Sequence, residues 1–167
     1  SEALYVGERM DEALAAAQTA ERLSPGYWGV PNIIGSIFLY RHQYESALLT
    51  FAGEGDEKLR ARGTAMAYFS LGRKDEFEAA LSQLQAGWGD QWPSEVAAVF
   101  VWAGNFDAAF QWLDKAAQSG DTLLSVFIFN PLLAGIHEDT RWLPFLEKIG
   151  RSPRQLDAIE FYVSLPD

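Results

Sequence analysis

The amino-acid sequence predicts an all-α protein built as a helix–turn–helix repeat array and closed by C-terminal capping helices. Three observations support this prediction. Apolar residues recur at spacings of three and four along most of the chain, as they do on one face of an α-helix. Glycine, asparagine and proline separate these stretches. Small residues recur with a period close to 34, which is typical of arrays with two helices per unit.

Composition and charge limit the classes of partner. The 167 residues include 13 basic and 23 acidic side chains, which gives a net charge of −10. Nucleic acid and anionic membrane surfaces are excluded because they would be repelled, so a charged partner is expected to be basic. A hydrophobic fraction of 49% excludes a disordered chain, and the lack of cysteine excludes disulfides and thiolate chemistry. No apolar run approaches the roughly 20 residues that span a bilayer, so no direct membrane insertion is expected.

The chain divides into four repeat units and a C-terminal part. The units are predicted at about residues 1–26, 28–55, 57–87 and 91–119, and capping helices with a tail at 120–167. Within the C-terminal part we expect an apolar helix or irregular segment at 121–129, a short piece at 132–137, a helix at 141–149, and a capping box at Ser152 that begins a helix to about residue 160. The helices are predicted at 2–6, 10–23, 30–40, 44–52, 57–71, 75–85 and 94–103, and a turn followed by a helix at 104–117. Gly7 is expected to break the first unit, and residues 86–90 are expected to form a loop.

The repeat is visible when each kind of helix is aligned separately. The second helices align on Ala13, Ala47, Ala80 and Ala109, with spacings of 34, 33 and 29 residues. A large apolar residue precedes each alanine by three positions: Met10, Tyr44, Phe77 and Phe106. The first helices align on Gly35, Ala65 and Ala97, with spacings of 30 and 32 residues and an aromatic residue three positions later. The two alignments together predict that the turn of the third unit is about three residues longer than that of the second.

On these residues the array resembles tetratricopeptide repeats. The fourth unit follows the pattern of that family most closely, with Ala97, Phe100, Gly104, Phe106, Ala109, Leu113 and Ala116. The resemblance implies a right-handed solenoid that binds proteins or peptides in a concave groove formed by the first helices. Glu54 stands where the family has a second alanine, so the second helix of unit two is expected to be truncated.

The C-terminal part has its own resemblance. Residues 130–150 are similar to the element that follows the repeats in bacterial class III adenylate cyclases and winged-helix regulators, although Asp139-Thr140-Arg141-Trp142 replaces the usual proline and phenylalanine. The resemblance implies an interaction or regulatory domain from a larger bacterial signalling protein, such as an adenylate cyclase. Because the sequence begins inside a unit, we expect a fragment. The compartment implied is cytoplasmic, or periplasmic if a membrane anchor precedes it in the parent chain.

The sequence predicts no catalytic, metal or cofactor site. His42 and His137 are the only histidines, and neither has a His, Asp or Glu four residues later. Residues 54–57 are acidic but lack the spacing of a calcium-binding loop. The segment is therefore expected not to be an enzyme. This expectation does not concern the parent chain, where a cyclase domain stays an open alternative.

Binding residues are predicted from the repeat register. Aromatic, arginine and small polar residues of the first helices are expected to face the groove, a composition that suits peptide binding. These residues are Asn32, Ser36, Tyr40, Arg62, Met66, Phe69, Ser94, Ala98 and Trp102. For Phe69 and Trp102, packing between repeats is an equally good interpretation.

Two alternatives to partner binding stay open. One is a homo-oligomerisation scaffold, in which a second copy fills the groove. The other is a module that senses a small molecule. The lysine and asparagine clamp with which chaperone-binding members of the family hold a C-terminal carboxylate is not reproduced, because Asn32 and Ser36, Arg62 and Met66, and Ser94 and Ala98 stand at those positions.

Overall fold

The computed structural model describes residues 2–24, 27 and 29–158 and, within them, contains ten α-helices, one 3₁₀-helix and no strand. The helices are α1 (Glu2–Leu23), α2 (Val30–Tyr40), α3 (Tyr44–Ala52), α4 (Glu57–Ser70), α5 (Lys74–Trp88), α6 (Pro93–Trp102), α7 (Phe106–Ser119), α8 (Leu124–Phe127), η1 (Pro131–Glu138), α9 (Trp142–Lys148) and α10 (Pro153–Asp157). The predicted all-α, repeat-like array is confirmed.

Three helical pairs, α2–α3, α4–α5 and α6–α7, form the centre of the array. Each pair packs on the next, because α3 contacts α4 and α5 contacts α6. The first helices also contact one another, α2 with α4 and α4 with α6. One continuous core therefore runs along the array and ends under the C-terminal helices.

The same three-residue turn closes all three pairs. Its middle residue has a positive φ, 58° at His42, 69° at Gly72 and 71° at Gly104. The next backbone N–H donates to the carbonyl five residues earlier, as in a Schellman motif. These bonds run from Gln43 to Phe38 (2.8 Å), from Arg73 to Tyr68 (2.9 Å) and from Asn105 to Phe100 (2.9 Å).

The prediction of a longer third turn is wrong. Phe77 is the fourth residue of α5, as Ala47 is of α3 and Ala109 is of α7. Ala80 lies three residues further along the helix. Residues three apart share a helix face, so the apolar pattern fits both registers and the sequence alignment selected the later one.

Two further boundaries differ from prediction, both at glycines. The chain passes through Gly7 without a break, so the first unit is one helix, α1, and not the predicted pair. Helix α5 continues through Ala86 and Gly87 to Trp88, where a loop was expected. A glycine inside a helix costs only about 1 kcal/mol, and tertiary packing readily outweighs this.

The truncation of unit two is confirmed, since α3 has nine residues whereas α5 has 15 and α7 has 14. Phe51, near the end of α3, is 1% exposed. A Cβ on Gly35 of α2 or on Gly63 of α4 would lie 2.7 or 2.2 Å from its ring. The two glycines therefore provide the space that fixes α3 between the neighbouring first helices.

The C-terminal segment closes the array. Helix α8 is shorter than the predicted 121–129 element, and both α8 and η1 pack on α6 with Phe127, Leu133 and Ile136 buried. The capping box at Ser152 is confirmed, and its backbone N–H donates to Gln155 Oε1 at 3.0 Å. The predicted end of this helix, about residue 160, lies outside the described residues. In the described part of the chain, no helix is both long and apolar enough to cross a membrane.

Candidate binding groove

A cavity of about 380 Å³ lies between α1, α2, Arg62 of α4 and the stretch from α8 into η1. We call it the groove. Its lining consists of Met10, Ala13, Asn32, Ile33, Ser36, Ile37, Arg62, Val126, Asn130 and Leu132. Ile33 is 48% exposed and Val126 is 66% exposed, so apolar side chains at this cavity meet solvent.

Arg62 of α4 links three helices beneath the groove. Its Nη1 donates to Glu95 Oε2 of α6 at 2.6 Å, and its Nη2 donates to Asn32 Oδ1 of α2. Lys58 Nζ lies 3.9 Å from Glu95 Oε1. The side chains of Arg62 and Glu95 are only 12% and 7% exposed, so the first helices are joined by a largely buried charge network.

A second cavity of about 50 Å³ adjoins the groove, and we call it the niche. It is lined by Arg62, Ser94, Glu95, Ala98, Leu123, Val126, Phe127, Asn130 and Leu133. Arg62, Val126 and Asn130 belong to both cavities. Two of the polar atoms at the niche residues, Arg62 Nε and Ser94 Oγ, are buried without a hydrogen-bond partner among the described residues.

Two buried carboxylates hold the helix N-termini at these cavities. Glu54, 1% exposed, accepts hydrogen bonds from the backbone N–H groups of Gly29 (3.1 Å), Asn32 (3.0 Å) and Asp56 (3.0 Å). A carboxylate at this end of α2 also interacts favourably with the positive end of the helix dipole. The truncation of α3 therefore frees Glu54 to cap α2.

Asp121 caps α6 in the same way. It is 8% exposed, and its carboxylate accepts from the backbone N–H groups of Ser94 and Leu123, both at 2.9 Å. Each acid follows the second helix of a pair and caps the first helix of that pair. The sequence signal for Glu54 was its departure from the repeat pattern, whereas Asp121 had no comparable signal.

The predicted binding residues fall into three groups. Asn32, Ser36 and Arg62 line the groove together. Met66, Ser94 and Ala98 are buried, with exposed fractions of 2%, 2% and 3%, and the last two lie at the niche beneath α8. Tyr40, Phe69 and Trp102 do not line either cavity. The assignment of these nine residues to partner binding stays a prediction.

Phe69 and Trp102, two members of the third group, pack against neighbouring side chains of the array. The Phe69 ring is 41% exposed and lies 5.4 Å from the Phe77 ring, centroid to centroid. Trp102 is half-buried against the core, and its indole N–H donates to Ser70 Oγ of α4 at 2.8 Å. Sequence reasoning missed Ile33, Val126 and Asn130, because the last two reach the groove only through the return of the C-terminal segment.

Two titratable groups of the C-terminal segment have shifted pKa values. Burial lowers the pKa of His137, which stacks on Trp142 with ring centroids 4.8 Å apart. Hydrogen bonds from Arg141 lower the pKa of Asp139 to about 2.

Within residues 9–24, 27, 29–130 and 132–158, no group of three or more His, Asp or Glu side chains is arranged to hold a metal ion. Both cavities therefore present hydrogen-bonding and apolar groups suited to non-covalent binding.

No protein-family model, curated protein or solved structure matches the chain. The resemblance to tetratricopeptide repeats rests on the repeat residues quoted above.

Proposed function

We propose that this chain is a non-catalytic protein-interaction domain of the tetratricopeptide type that binds a segment of a partner protein in the groove. The observation that supports this function best is the mixed character of the groove. Ile33 and Val126 offer apolar contacts to side chains, while Asn32, Ser36 and Asn130 offer hydrogen bonds to a backbone. The volume of the groove is within the usual range for ligand sites, about 300–1,000 Å³.

The charge of the molecule favours a basic segment. The net charge of −10 attracts cationic partners over long range and raises the rate of encounter. The one guanidinium at the groove, that of Arg62, is paired with Glu95, which reduces its repulsion of a cation. We place such a domain in a larger bacterial signalling protein, as the sequence resemblance implies.

A peptide selection with two matched variants tests this function. Peptides are selected from a random displayed library on the immobilised chain, and their affinity is measured for Ile33→Asp and Leu49→Asp. Both positions carry exposed aliphatic side chains, but Leu49, 77% exposed, does not line the groove. We expect Ile33→Asp to weaken binding at least tenfold and Leu49→Asp to leave it within twofold. Equal effects of the two variants, or no selected peptide, would contradict the proposal.

A homo-oligomerisation scaffold is the second candidate. Exposed apolar side chains favour it, because Ile33 and Val126 at the groove are 48% and 66% exposed, and Leu49, Phe129 and Leu143 outside it are 77%, 71% and 53% exposed. Sedimentation velocity over a hundredfold concentration range discriminates the two functions. A strict monomer throughout that range argues against the scaffold.

A further inference from the structure

We propose that the niche is a subsite of the groove that receives a neutral primary amide, the side-chain head of an Asn or Gln in the bound segment. The inference rests on the proposed function and names the residue that the segment uses as its anchor. The niche opens beside the groove, since Arg62, Val126 and Asn130 line both cavities. A segment lying in the groove therefore has the niche within reach of one side chain.

The unpartnered atoms of the niche call for a hydrogen-bond acceptor. Ser94 is 2% exposed and the Arg62 side chain 12% exposed, yet Ser94 Oγ and Arg62 Nε have no partner among the described residues. Leaving such a buried group unpaired is unfavourable, because it has lost its hydrogen bonds to water. Arg62 Nε can only donate, and the Ser94 hydroxyl can donate as well, so both atoms require an oxygen acceptor, and both belong to residues that line the niche.

The charges around the niche favour a head group without net charge. Two cations, Arg62 and Lys58, stand against two carboxylates, Glu95 and Asp121. Asp121 is joined directly to Ser94, whose backbone N–H donates to its Oδ2 at 2.9 Å. Of these four, Arg62 and Glu95 line the niche itself. A ligand carboxylate there would be repelled by Glu95 and a ligand ammonium by Arg62, in each case at low dielectric.

A primary amide matches both kinds of group that line the niche. Its carbonyl oxygen accepts from Arg62 Nε–H and from the Ser94 hydroxyl, and its NH₂ donates to the Glu95 carboxylate. The niche volume of about 50 Å³ limits the guest to a small head group. The aliphatic stem of the anchor then lies against Val126, where niche and groove meet.

The test follows the Arg62 Nε–Hε resonance of the ¹⁵N-labelled full chain in a titration with butyramide, butyrate and butylammonium. We expect a saturable shift with butyramide and none with the two charged probes. Ser94→Ala should weaken butyramide binding at least fivefold, because it removes one of the two donors. Ser36→Ala, which removes a hydroxyl that lines only the groove, should leave binding within twofold.

Three results would overturn the inference: equal shifts with butyrate or butylammonium, no saturable shift with any probe, or unchanged butyramide affinity in Ser94→Ala. If Ser94→Ala does not fold, Ala98→Val replaces it, since Ala98 lines only the niche and the larger side chain fills it. The peptide selection separates the two proposals. If Ile33→Asp abolishes peptide binding while Ser94→Ala leaves both peptide and butyramide binding unchanged, the groove stands and the niche subsite fails. If Ile33→Asp has no effect, the proposed function fails, and the butyramide titration still reports on the niche.

Discussion

The pairs α2–α3 and α6–α7 have the same construction but different surroundings. Both close with the same Schellman turn, and both have a buried acid that caps their first helix. Eight of the ten residues of α6 are buried, whereas only four of the 11 residues of α2 are. The difference arises because α8 and η1 return over α6 and leave α2 partly open. One helical hairpin can therefore serve as core or as a binding surface, depending on what packs on its first helix.

The two pairs also divide their internal volume differently. Helix α2 carries Gly35 where α6 carries Ala97, each six residues before the first residue of its turn. The eighth residue of α3 is Phe51 and that of α7 is Leu113, and both are buried. A glycine is paired with the larger side chain and an alanine with the smaller one. The two hairpins therefore fill the space between their helices in different ways, one with Gly35 and Phe51 and the other with Ala97 and Leu113.

Removal of the two capping carboxylates should have the largest effect and should differ between the pairs. Glu54→Ala leaves three backbone N–H groups without their acceptor, and Asp121→Ala leaves two. We expect the free energy of unfolding to fall by about 5 and about 3 kcal/mol, because each bond to a charged acceptor contributes roughly 1.5–3 kcal/mol and the lower end is used for both. Urea unfolding followed by circular dichroism measures both.

Glu54→Gln serves as the control for that comparison. It retains one carbonyl oxygen as acceptor in a side chain of nearly the same size, and it should cost about half as much as Glu54→Ala. A larger loss for Asp121→Ala than for Glu54→Ala would contradict the assignment of the stronger cap to α2.

Replacing Gly35 and Phe51 by the residue types of Ala97 and Leu113 should have the next largest effect on stability. Gly35→Ala places a Cβ 2.7 Å from the Phe51 ring and should cost about 2 kcal/mol through overpacking. Adding Phe51→Leu reproduces the combination of Ala97 and Leu113 and should recover at least half of that loss. A double-mutant cycle in urea gives the coupling free energy, and additive effects of the two substitutions would show that the residues do not compensate each other.

The middle residue of the turn differs between the two pairs, and this difference predicts a gain in stability. His42 has a φ of 58°, a region that costs a residue with a Cβ about 1 kcal/mol or more, whereas Gly104 adopts the same region freely. His42→Gly should therefore raise the free energy of unfolding by about 1 kcal/mol, and Gly104→Ala should lower it by a similar amount. Thermal unfolding detects both changes.

Loss of the His42 side chain also removes its hydrogen bond to Tyr44 Oη, at 2.7 Å on the exposed surface. Tyr44→Phe measures that contribution separately. If His42→Gly destabilises the chain by more than Tyr44→Phe does, the backbone argument is wrong.

The smallest predicted effect is a pH dependence of stability that is confined to the pair α6–α7, which α8 and η1 cover. Burial lowers the pKa of His137 below the ordinary value of 6.5, so the unfolded chain binds a proton more readily than the folded chain. The stability contribution is present above about pH 6.5 and is lost as the pH falls towards the lowered pKa. Because His137 belongs to η1, which packs on α6, amide protection in α6 should weaken between pH 7 and pH 5.5, and protection in α2 should change less.

His137→Gln should remove this difference between the two helices. His42→Gln is the matched control, since it removes a histidine from the exposed turn of the open pair. A pH response of α6 that survives in His137→Gln would assign it to another group.

Features set by neighbouring residues could be predicted from the sequence. The bounds of α2 and α3 agree with prediction because turn residues and helical periodicity act locally. The continuation through Gly7 and Gly87 could not be predicted, since a small local preference is outweighed by packing elsewhere. The predicted alignment of α5 was wrong because Phe77 and Ala80 lie on the same helix face, so the apolar pattern fits either residue.

The candidate site shows the same limit. Asn32, Ser36 and Arg62 were expected from the repeat register to face a groove of the first helices, and the structure places them at one cavity, while their part in partner binding stays a prediction. Val126 and Asn130 reach that cavity through a long-range return of the chain, which no periodicity reports. The niche exists only because this return covers Ser94 and Ala98.

The bonds of Arg62 bear on the mechanics of the array. One guanidinium holds Asn32 of α2 and Glu95 of α6 from a position on α4, and so it sets the spacing of three successive first helices. A repeat array bends through changes in the angles between neighbouring units. Here, a change in curvature that moves α2 or α6 away from α4 has to break or rearrange one of these bonds, so we expect the face that carries the groove to resist bending more than one held by apolar contacts alone.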